Sequence, residues 1–223
     1  MLEASEDIIR QTTHGGPVTI LPETGLKLEA KRNLRKNLRK ARLDHVASLP
    51  DSVRGLLFRR PPAPIEALVP TGSVIGLYHP TIGEAPTGGY ARFFAEAGHP
   101  LALPRFADQD AVMEFAQWSD PWGDADLEVG PYGALQPSGD AVVLEPDVLI
   151  VPLLGFTASG ARLGQGGGHY DRWLAEHPDT LAIGLAWDVQ ELPALPVEAH
   201  DRPLAAVVTP QRMFGPFGLV GAR

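Results

Sequence analysis

The chain has 223 residues, of which 44% are hydrophobic and 21% are charged. This ordinary globular composition predicts one domain with a substantial core and argues against disorder and fibrous repeats. The formal net charge is −8 and there is no cysteine, which excludes disulfide frameworks, thiolate metal sites and cysteine nucleophiles. No apolar run reaches the roughly 20 residues of a membrane span, and the N-terminus lacks a secretion-signal pattern. We therefore expect a cytoplasmic protein without a membrane partner.

The charge is unevenly distributed along the chain. Residues 27–42 hold eight cations, including all four lysines, and one carboxylate, a net charge of +7, whereas the rest of the chain has a net charge of −15. Residues 1–26 show no apolar period, which predicts a flexible extension before a domain at 27–223. An acidic body with one basic element predicts an anionic ligand for that element. A solvated helix face and a nucleic-acid interface remain the alternatives.

The basic stretch lies on a predicted helix from Leu28 to about Leu49, which Pro50 ends. Its apolar residues recur at helical spacing: Leu34, Leu38 and Ala41. At about 100° per residue, one group of cations lies beside this apolar stripe: Lys31, Arg35 and Arg42. A second group points away from it: Arg32, Lys36 and Lys40. We expect the first group to reach inward and the second to face solvent.

Alternating strands and helices are predicted for the remainder. Short apolar runs predict strands at 73–78, 101–103, 147–151, 181–187 and 205–209. Helical spacing at 90–97 ends at Gly98, and another helix begins near Asp171. This order predicts a single α/β domain with a largely parallel sheet flanked by helices. Its ligand crevice should open beyond the carboxyl ends of the strands, in the loops after Tyr78, Leu103 and Val151.

A glycine-rich loop is the most informative segment. Four of the five positions from Gly164 to Gly168 are glycine, at a cost of about 0.5–1 kcal/mol each inside a regular element. Such a loop before a helix lets backbone N–H groups approach phosphate oxygens. Arg162 adds a planar cation, and Asp171 is a carboxylate suited to Mg²⁺. A tight turn is the alternative for the glycines, and a helix N-cap is the alternative for Asp171.

Several common site types do not match. A P-loop is excluded around these glycines because no lysine follows Lys40, and a dinucleotide fingerprint would need glycine where His169 stands. The seven histidines show no paired metal spacing, and Ser159 is not in a nucleophile elbow. If the loop binds a polyphosphate, any lysine must come from the basic helix, where Lys31 lies on the inward stripe.

The glycine segment RLGQGGGHYDRWL, at 162–174, resembles the most characteristic stretch of the 5-formyltetrahydrofolate cyclo-ligase family. Four further segments occur in the family's order: KRNLR at 31–35, GEAPT at 83–87, LPRF at 103–106 and LPVEAHD at 195–201. The chain departs from the family pattern at three positions. His169 stands where many relatives have tyrosine, Thr157 where they have a carboxylate, and Gln136 where glutamate is frequent.

The resemblance implies a NagB/RpiA/CoA-transferase-like α/β fold and a defined reaction. In that reaction ATP, with Mg²⁺, phosphorylates the formyl oxygen of 5-formyltetrahydrofolate. Attack by N10 then gives 5,10-methenyltetrahydrofolate, ADP and phosphate. We expect a monomer whose partners are these two substrates, without nucleic acid. A non-catalytic folate- or nucleotide-binding homologue is one rival, and a nucleic-acid-binding module using residues 27–42 is the other.

Site residues are carried over by position. Those expected to bind ATP are Lys31, Arg35, Arg162, Gly164, Gln165, Gly166, Gly167, Gly168, His169, Tyr170 and Asp171. Arg162 and Asp171 are expected to be catalytic, and Asp171 also to bind the metal. Those expected to line the folate pocket are His79, Glu84, Phe106, Met113 and Tyr132. Of these, Glu84 is expected to accept hydrogen bonds from the pterin ring.

Overall fold

The computed structural model of the protein describes residues 23–196 and 202–217. The helices are α1 (Glu23–Ser48), α2 (Asp51–Arg54), α3 (Ala63–Glu66), α4 (Gly88–Glu96) and α5 (His169–Glu176). The strands are β1 (Ile75–Gly76), β2 (Leu101–Arg105), β3 (Glu114–Gln117), β4 (Leu127–Val129), β5 (Leu135–Pro137), β6 (Val148–Pro152), β7 (Gly155–Thr157), β8 (Arg162–Leu163), β9 (Leu181–Leu185), β10 (Glu191–Leu192), β11 (Ala206–Val208) and β12 (Met213–Phe214). None of these helices is long and apolar enough to cross a bilayer.

A seven-stranded sheet organises the fold, in the order β12-β11-β9-β6-β1-β2-β3. The five inner strands run parallel, with Ile75 beside Val148 and Ile150 beside Ile183, and both edge strands are antiparallel. Strand β6 is buried over its first four residues, as expected for a strand covered on both faces. The predicted α/β class with a largely parallel sheet is confirmed.

Two apolar layers lie on opposite faces of this sheet. Along β6, Val148 and Ile150 belong to one cluster, while Leu149 and Val151 belong to the other, because successive side chains of a strand point to opposite faces. Tyr90 and Phe94 of helix α4 complete the first layer. Trp173 and Leu174 of helix α5 complete the second. The domain is therefore built as helix, sheet and helix.

The N-terminal helix differs from its prediction in two respects. It begins at Glu23, so residues 23–26, assigned to the extension by sequence, are helical; residues 1–22 lie outside the described part. Glu23 directly follows Pro22, and a proline followed by an acidic residue is typical of a helix start. Gly25 interrupts the helical spacing of apolar residues, so this start was not predicted. The apolar stripe is also shifted, because Leu38 is buried while Ala41 is exposed and Arg42 is buried in its place.

Several short elements escaped prediction. The edge strand β3, the hairpin β4–β5 and the small sheet β10-β7-β8 each pair over only two to four residues. Such runs are too short to show a period of two. Conversely, the predicted strand at 73–78 pairs only at Ile75–Gly76, because the chain then turns away toward the loop at the sheet's carboxyl edge.

Two adjacent glycines at the start of α4 provide a matched pair of stability probes. A Cβ on Gly89 would lie 2.3 Å from the carbonyl oxygen of Phe58, whereas one on Gly88 would meet only the end of Arg92, at 3.5 Å. We expect Gly89→Ala to lower the free energy of unfolding by about 1–3 kcal/mol. Gly88→Ala should leave it unchanged or raise it by up to about 1 kcal/mol. Urea unfolding measures both, and equal stabilities would contradict the close approach of α4 to this backbone.

Candidate active site

One cavity of about 860 Å³ opens at the carboxyl edge of the parallel strands, within the range of about 300–1,000 Å³ that small-molecule pockets occupy. Tyr78 and His79 enter it after β1, and Phe106 enters it after β2. The segment after β6 contributes the strand β8 and the glycine loop, 164–168. The cavity therefore lies in the loops where strand order predicted the crevice.

Every residue predicted for the site lines this cavity. These residues are Lys31, Arg35, His79, Glu84, Phe106, Met113, Tyr132, Arg162, Gly164, Gln165, Gly166, Gly167, Gly168, His169, Tyr170 and Asp171. They come from parts of the chain up to 140 positions apart, and the fold brings them to one place. Other lining residues were not assigned to the site from sequence, among them Tyr78, Thr81, Gln136 and Arg42, of which only the inward direction of Arg42 was predicted. Of the LPVEAHD segment, residues 197–201 lie outside the described part.

The glycine loop has a backbone that requires glycine. Gly166 and Gly168 have φ values of 111° and 67°, a region that other residues enter only with strain. A Cβ on Gly167 would lie 2.7 Å from the ring of His169. The loop passes directly into α5, whose first turn exposes N–H groups and the positive end of a dipole. Both the space and the charge at this point favour an anion.

Helix α1 holds the loop in place through two arginines. Arg35 Nε donates to the carbonyl oxygen of Gly164 at 3.1 Å. Arg39 donates from Nε to Oε1 of Gln165 at 3.2 Å and from Nη2 to the carbonyl oxygen of Gln165 at 2.9 Å. Lys31 is buried beside them. The predicted inward direction of Arg35 is confirmed, whereas the part played by Arg39 escaped prediction.

The remaining cations of the helix also follow the predicted stripes. Arg42 is buried on the inward side. The outward group is exposed, as predicted: Arg32, Lys36 and Lys40.

An ion pair joins strand β8 to helix α5 at the base of the loop. Arg162 Nη2 donates to Asp171 Oδ1, with the arginine side chain 3% exposed and the aspartate side chain 25% exposed. Arg162 Nε is buried and has no hydrogen-bond partner within the described residues. Helix α5 begins at His169 after Gly168, so Asp171 lies inside the first turn and the N-cap interpretation of Asp171 is wrong. The carboxylate is directed toward Arg162 instead.

A second part of the cavity wall is aromatic and adjoins the glycine loop at His169. The rings of Phe106, Tyr132 and His169 contact one another edge to face, with centroids 4.9–5.7 Å apart. The side-chain amide of Gln136 fixes Phe106 by accepting from its N–H and donating to its carbonyl oxygen, both at 3.1 Å. Tyr132 is held by donation from its hydroxyl to the carbonyl oxygen of Gln109 at 2.6 Å. These contacts make a rigid apolar wall that suits a flat ring.

Glu84 lines the same cavity. The Thr81 N–H donates to its Oε2 at 2.9 Å, and Nε2 of Gln165 donates to its Oε1 at 3.1 Å. Arg42 Nη1 lies 3.6 Å from Oε1, and both side chains of this pair are less than 10% exposed. The buried carboxylate is therefore held by a cation of α1, by a hydrogen bond from its own loop and by one from the glycine loop.

Other predicted residues have clear local contacts. His79 Nε2 lies 3.4 Å from Asp124 Oδ2, and Met113 is buried in the core below the aromatic wall. Burial raises the pKa of the Tyr170 phenol well above its usual value of 10, so this hydroxyl stays neutral. Thr157 does not line the cavity; its hydroxyl contacts that of Ser159 at 2.9 Å within a turn.

The connection between α1 and the loop is testable by hydrogen exchange. Arg39→Ala removes two of the loop's hydrogen bonds, and a typical hydrogen bond contributes about 0.5–1.5 kcal/mol. We expect the amides of 164–168 to exchange about twofold to tenfold faster in this variant. Arg32→Ala, an exposed arginine on the same helix, is the matched control and should leave their exchange unchanged. Equal exchange in the two variants would contradict this role for Arg39.

The environment of His169 predicts its titration. Burial, followed by the neighbouring charge of Arg172, lowers the pKa of His169 below its usual 6.5, and Arg172 Nη2 lies 3.1 Å from Nδ1. Because the folded pKa is the lower one, this group stabilises the fold above about pH 6.5 and less as pH falls. NMR titration should show the low pKa, and Arg172→Met should raise it only in part, since burial remains. An unchanged pKa in that variant, with Arg92→Met as control, would contradict this assignment of causes.

A family model described as the 5-formyltetrahydrofolate cyclo-ligase family matches residues 27–210. The chain is 51% identical over 70 residues to the 5-formyltetrahydrofolate cyclo-ligase of Escherichia coli strain K12, a match that spans 30% of this chain and 38% of that protein. It is 29% identical over 184 residues to the protein of the same name from Mycolicibacterium smegmatis, spanning 80% of this chain and 94% of the relative.

Two solved structures share the fold. One is the 5,10-methenyltetrahydrofolate synthetase of Aquifex aeolicus, with a TM-score of 0.56 and 24% identity, covering 89% of this chain and 95% of that one. The other is the 5,10-methenyltetrahydrofolate synthetase of Mycoplasma pneumoniae, with a TM-score of 0.59 and 21% identity, covering 79% and 96%. At these identities the likeness concerns the fold.

Proposed function

The chain belongs to the 5-formyltetrahydrofolate cyclo-ligase family, and from this we propose that it converts 5-formyltetrahydrofolate and ATP to 5,10-methenyltetrahydrofolate, ADP and phosphate. One observation supports this most strongly: a single cavity is lined by a cationic glycine loop, by an aromatic wall and by the carboxylate of Glu84. The glycine loop suits a polyphosphate and the aromatic wall suits a flat heterocycle. A reaction between two such ligands requires that both surfaces belong to one space.

The nucleotide binds at the glycine loop in this proposal. Lys31 and Arg35 approach the loop from α1, and Arg162 approaches it from β8. No lysine occurs after residue 40, so α1 alone can supply the ammonium group. Arg162 Nε is a buried donor without a partner in the described residues, and a phosphate oxygen would satisfy it. These groups offset the negative charge that phosphoryl transfer moves between oxygens.

The folate binds at the aromatic wall. Phe106 and Tyr132 offer ring faces and edges to the pterin, and their hydrogen bonds to Gln136 and Gln109 hold them in place. The pterin carries two adjacent N–H donors, which match the two oxygens of one carboxylate. Glu84 is the carboxylate in reach, and a carboxylate has about four acceptor positions, of which Thr81 and Gln165 occupy two.

The chemistry explains why ATP is needed. An N-formyl carbon is a poor electrophile, because the nitrogen lone pair is delocalised onto oxygen, and that oxygen is a poor leaving group. The formyl oxygen attacks the γ-phosphorus, the bond from that phosphorus to the β,γ-bridging oxygen breaks, and ADP leaves with the electron pair. N10 then adds to the activated carbon, the carbon–oxygen bond breaks, and phosphate leaves with the proton of N10. The protein supplies alignment and positive charge, and no covalent nucleophile is required.

Magnesium fits the site in one way. No group of three or more histidine or acidic side chains in the described ranges could hold a metal by itself. Asp171, beside the glycine loop, would therefore hold Mg²⁺ together with oxygens of the bound nucleotide, which is how this ion is commonly bound in nucleotide sites. Bound there, the ion would neutralise phosphate charge. Asp171 would share its carboxylate between the ion and Arg162.

A direct assay tests the proposed reaction. The purified protein is mixed with 5-formyltetrahydrofolate, ATP and Mg²⁺, and the near-ultraviolet band of methenyltetrahydrofolate is followed together with ADP. We expect product only when all three components are present. Binding of either ligand without product would instead identify a non-catalytic homologue.

The direction of each cation on α1 predicts the effect of its removal. A charge-assisted hydrogen bond contributes about 1.5–3 kcal/mol, so Lys31→Ala and Arg35→Ala should each raise KM for ATP by about tenfold to a hundredfold. Arg32→Ala and Lys36→Ala, exposed on the same helix, are the matched controls and should change it less than twofold. Steady-state kinetics at saturating folate measures the effect.

The reverse pattern would contradict the assignment. If the outward variants lost salt-dependent RNA or DNA binding while the inward variants kept normal ATP kinetics, the basic helix would be a nucleic-acid interface.

Asp171→Asn provides an independent check, since it should lower kcat at least tenfold and alter the dependence of kcat on Mg²⁺ concentration. Unchanged Mg²⁺ dependence would exclude Asp171 as the metal-binding residue.

A further inference from the structure

Arg42 is a buried cation to which the resemblance assigns no role. It lies on the inward side of α1, in the wall of the cavity, and is 5% exposed. Its Nε and Nη1 atoms are buried without a hydrogen-bond partner among the described residues. Glu84 Oε1 lies 3.6 Å from Nη1, which is too long for a hydrogen bond but close enough for an ion pair. Burial of a charge with so few hydrogen bonds is costly and calls for an explanation beyond packing.

The packing of α1 brings Arg42 and Glu84 together through the glycine that precedes Glu84. Gly83 has a φ of 86°, and a Cβ at this position would lie 3.0 Å from Leu43 and 3.5 Å from Arg42 Nε. Trp187 Nε1 donates to the carbonyl oxygen of Gly83 at 2.9 Å, which fixes the loop from its other side. The approach of the helix to this loop is therefore built into the backbone.

The three groups that contact the Glu84 carboxylate have different roles. The Thr81 N–H and the Gln165 side chain donate hydrogen bonds, which set the direction of the carboxylate but bring no net charge. Arg42 brings the charge that compensates a buried anion, since its Nη1 lies 3.6 Å from Glu84 Oε1 and both side chains are less than 10% exposed. Arg42 can therefore act on the folate through Glu84.

We propose that Arg42 is a positioning residue for the folate half of the site, one that holds the carboxylate of Glu84 in place to receive the pterin. The inference rests on the proposed function, and in particular on Glu84 as the pterin acceptor. It separates the cations of α1 into two kinds. Lys31 and Arg35 serve the nucleotide, whereas Arg42, two to three turns further along the same helix, serves the folate.

The test compares KM values for the two substrates in Arg42→Met. We expect KM for 5-formyltetrahydrofolate to rise at least tenfold, and KM for ATP to change less than twofold. Arg42→Lys, which keeps the charge, should recover a large part of the loss. Arg32→Met, an exposed arginine of the same helix, is the matched control. A purely structural role would lower Tm without this selective change in KM, and that result would overturn the proposal.

A double variant makes the test independent of how well Arg42→Met folds. In a Glu84→Gln background there is no carboxylate for Arg42 to hold, so adding Arg42→Met should leave KM for the folate unchanged within twofold. The double variant should also unfold at a higher temperature than Glu84→Gln alone, which leaves a buried cation uncompensated. A second loss of folate affinity, as large as the first, would show that Arg42 acts without Glu84 and would refute the inference.

The wild-type protein separates this inference from the proposed function. If it forms no product from 5-formyltetrahydrofolate and ATP, the proposed function fails. If it forms product and Arg42→Met keeps a normal KM for the folate, the role of Arg42 alone is refuted.

Discussion

The site depends on the contact between helix α1 and the glycine loop. Leu38 of α1 packs against Leu154 and Leu163. Leu154 directly precedes β7, and Leu163 is the last residue of β8, the strand that leads into the glycine loop. A Cβ on Gly155 would lie only 2.9 Å from Leu38, so the helix and the strand are in close contact. This apolar contact holds the helix near the loop, and the hydrogen bonds of Arg35 and Arg39 then fix the loop itself. Three cations of the basic helix, Lys31, Arg35 and Arg42, are thereby brought to one side of one cavity.

The order of strands explains why the cavity lies where it does. From β1 the sheet continues to β2 on one side, whereas from β6 it continues through β9 to β11 on the other. The loops that leave β1 and β6 therefore diverge, and a crevice forms between them at the carboxyl edge. Tyr78 and His79 follow the first of these strands, and the glycine loop follows the second. The fold thereby places the carboxylate of Glu84, from one loop, beside the glycine loop that follows the other strand.

Sequence predicted the features that depend on local pattern. The parallel strands, the glycine loop before a helix and the inward stripe with Lys31 and Arg35 all follow from periodicity and residue type. The Asp171 N-cap alternative was wrong because the left-handed Gly168 starts the helix two residues earlier than expected. The assignment of Ala41 to the buried stripe was wrong. Helical spacing of apolar residues predicts that apolar side chains are buried, but α1 packs against a polar site and buries the charged Arg42 instead.

What sequence could not predict depends on contacts between distant residues. The amide of Gln136 holds the backbone of Phe106 across 30 positions, and Gln165 reaches Glu84 across 81. The sequence around Gln136 and around Gln165 shows no pattern that predicts these partners. The surroundings of two residues that depart from the family pattern were also not predictable from sequence. Thr157 forms a contact within a turn, and His169 belongs to an aromatic cluster.

In the proposed reaction, ATP at the glycine loop transfers its γ-phosphoryl group to the formyl oxygen of the folate in the same cavity. Oxygen-18 in that formyl group tests it most directly. If the formyl oxygen attacks the γ-phosphorus and later leaves with it, mass spectrometry of the released phosphate should find one labelled oxygen per product formed. Label that appears in water, with unlabelled phosphate, would contradict phosphorylation of the formyl oxygen and the proposed binding of ATP and folate in one cavity.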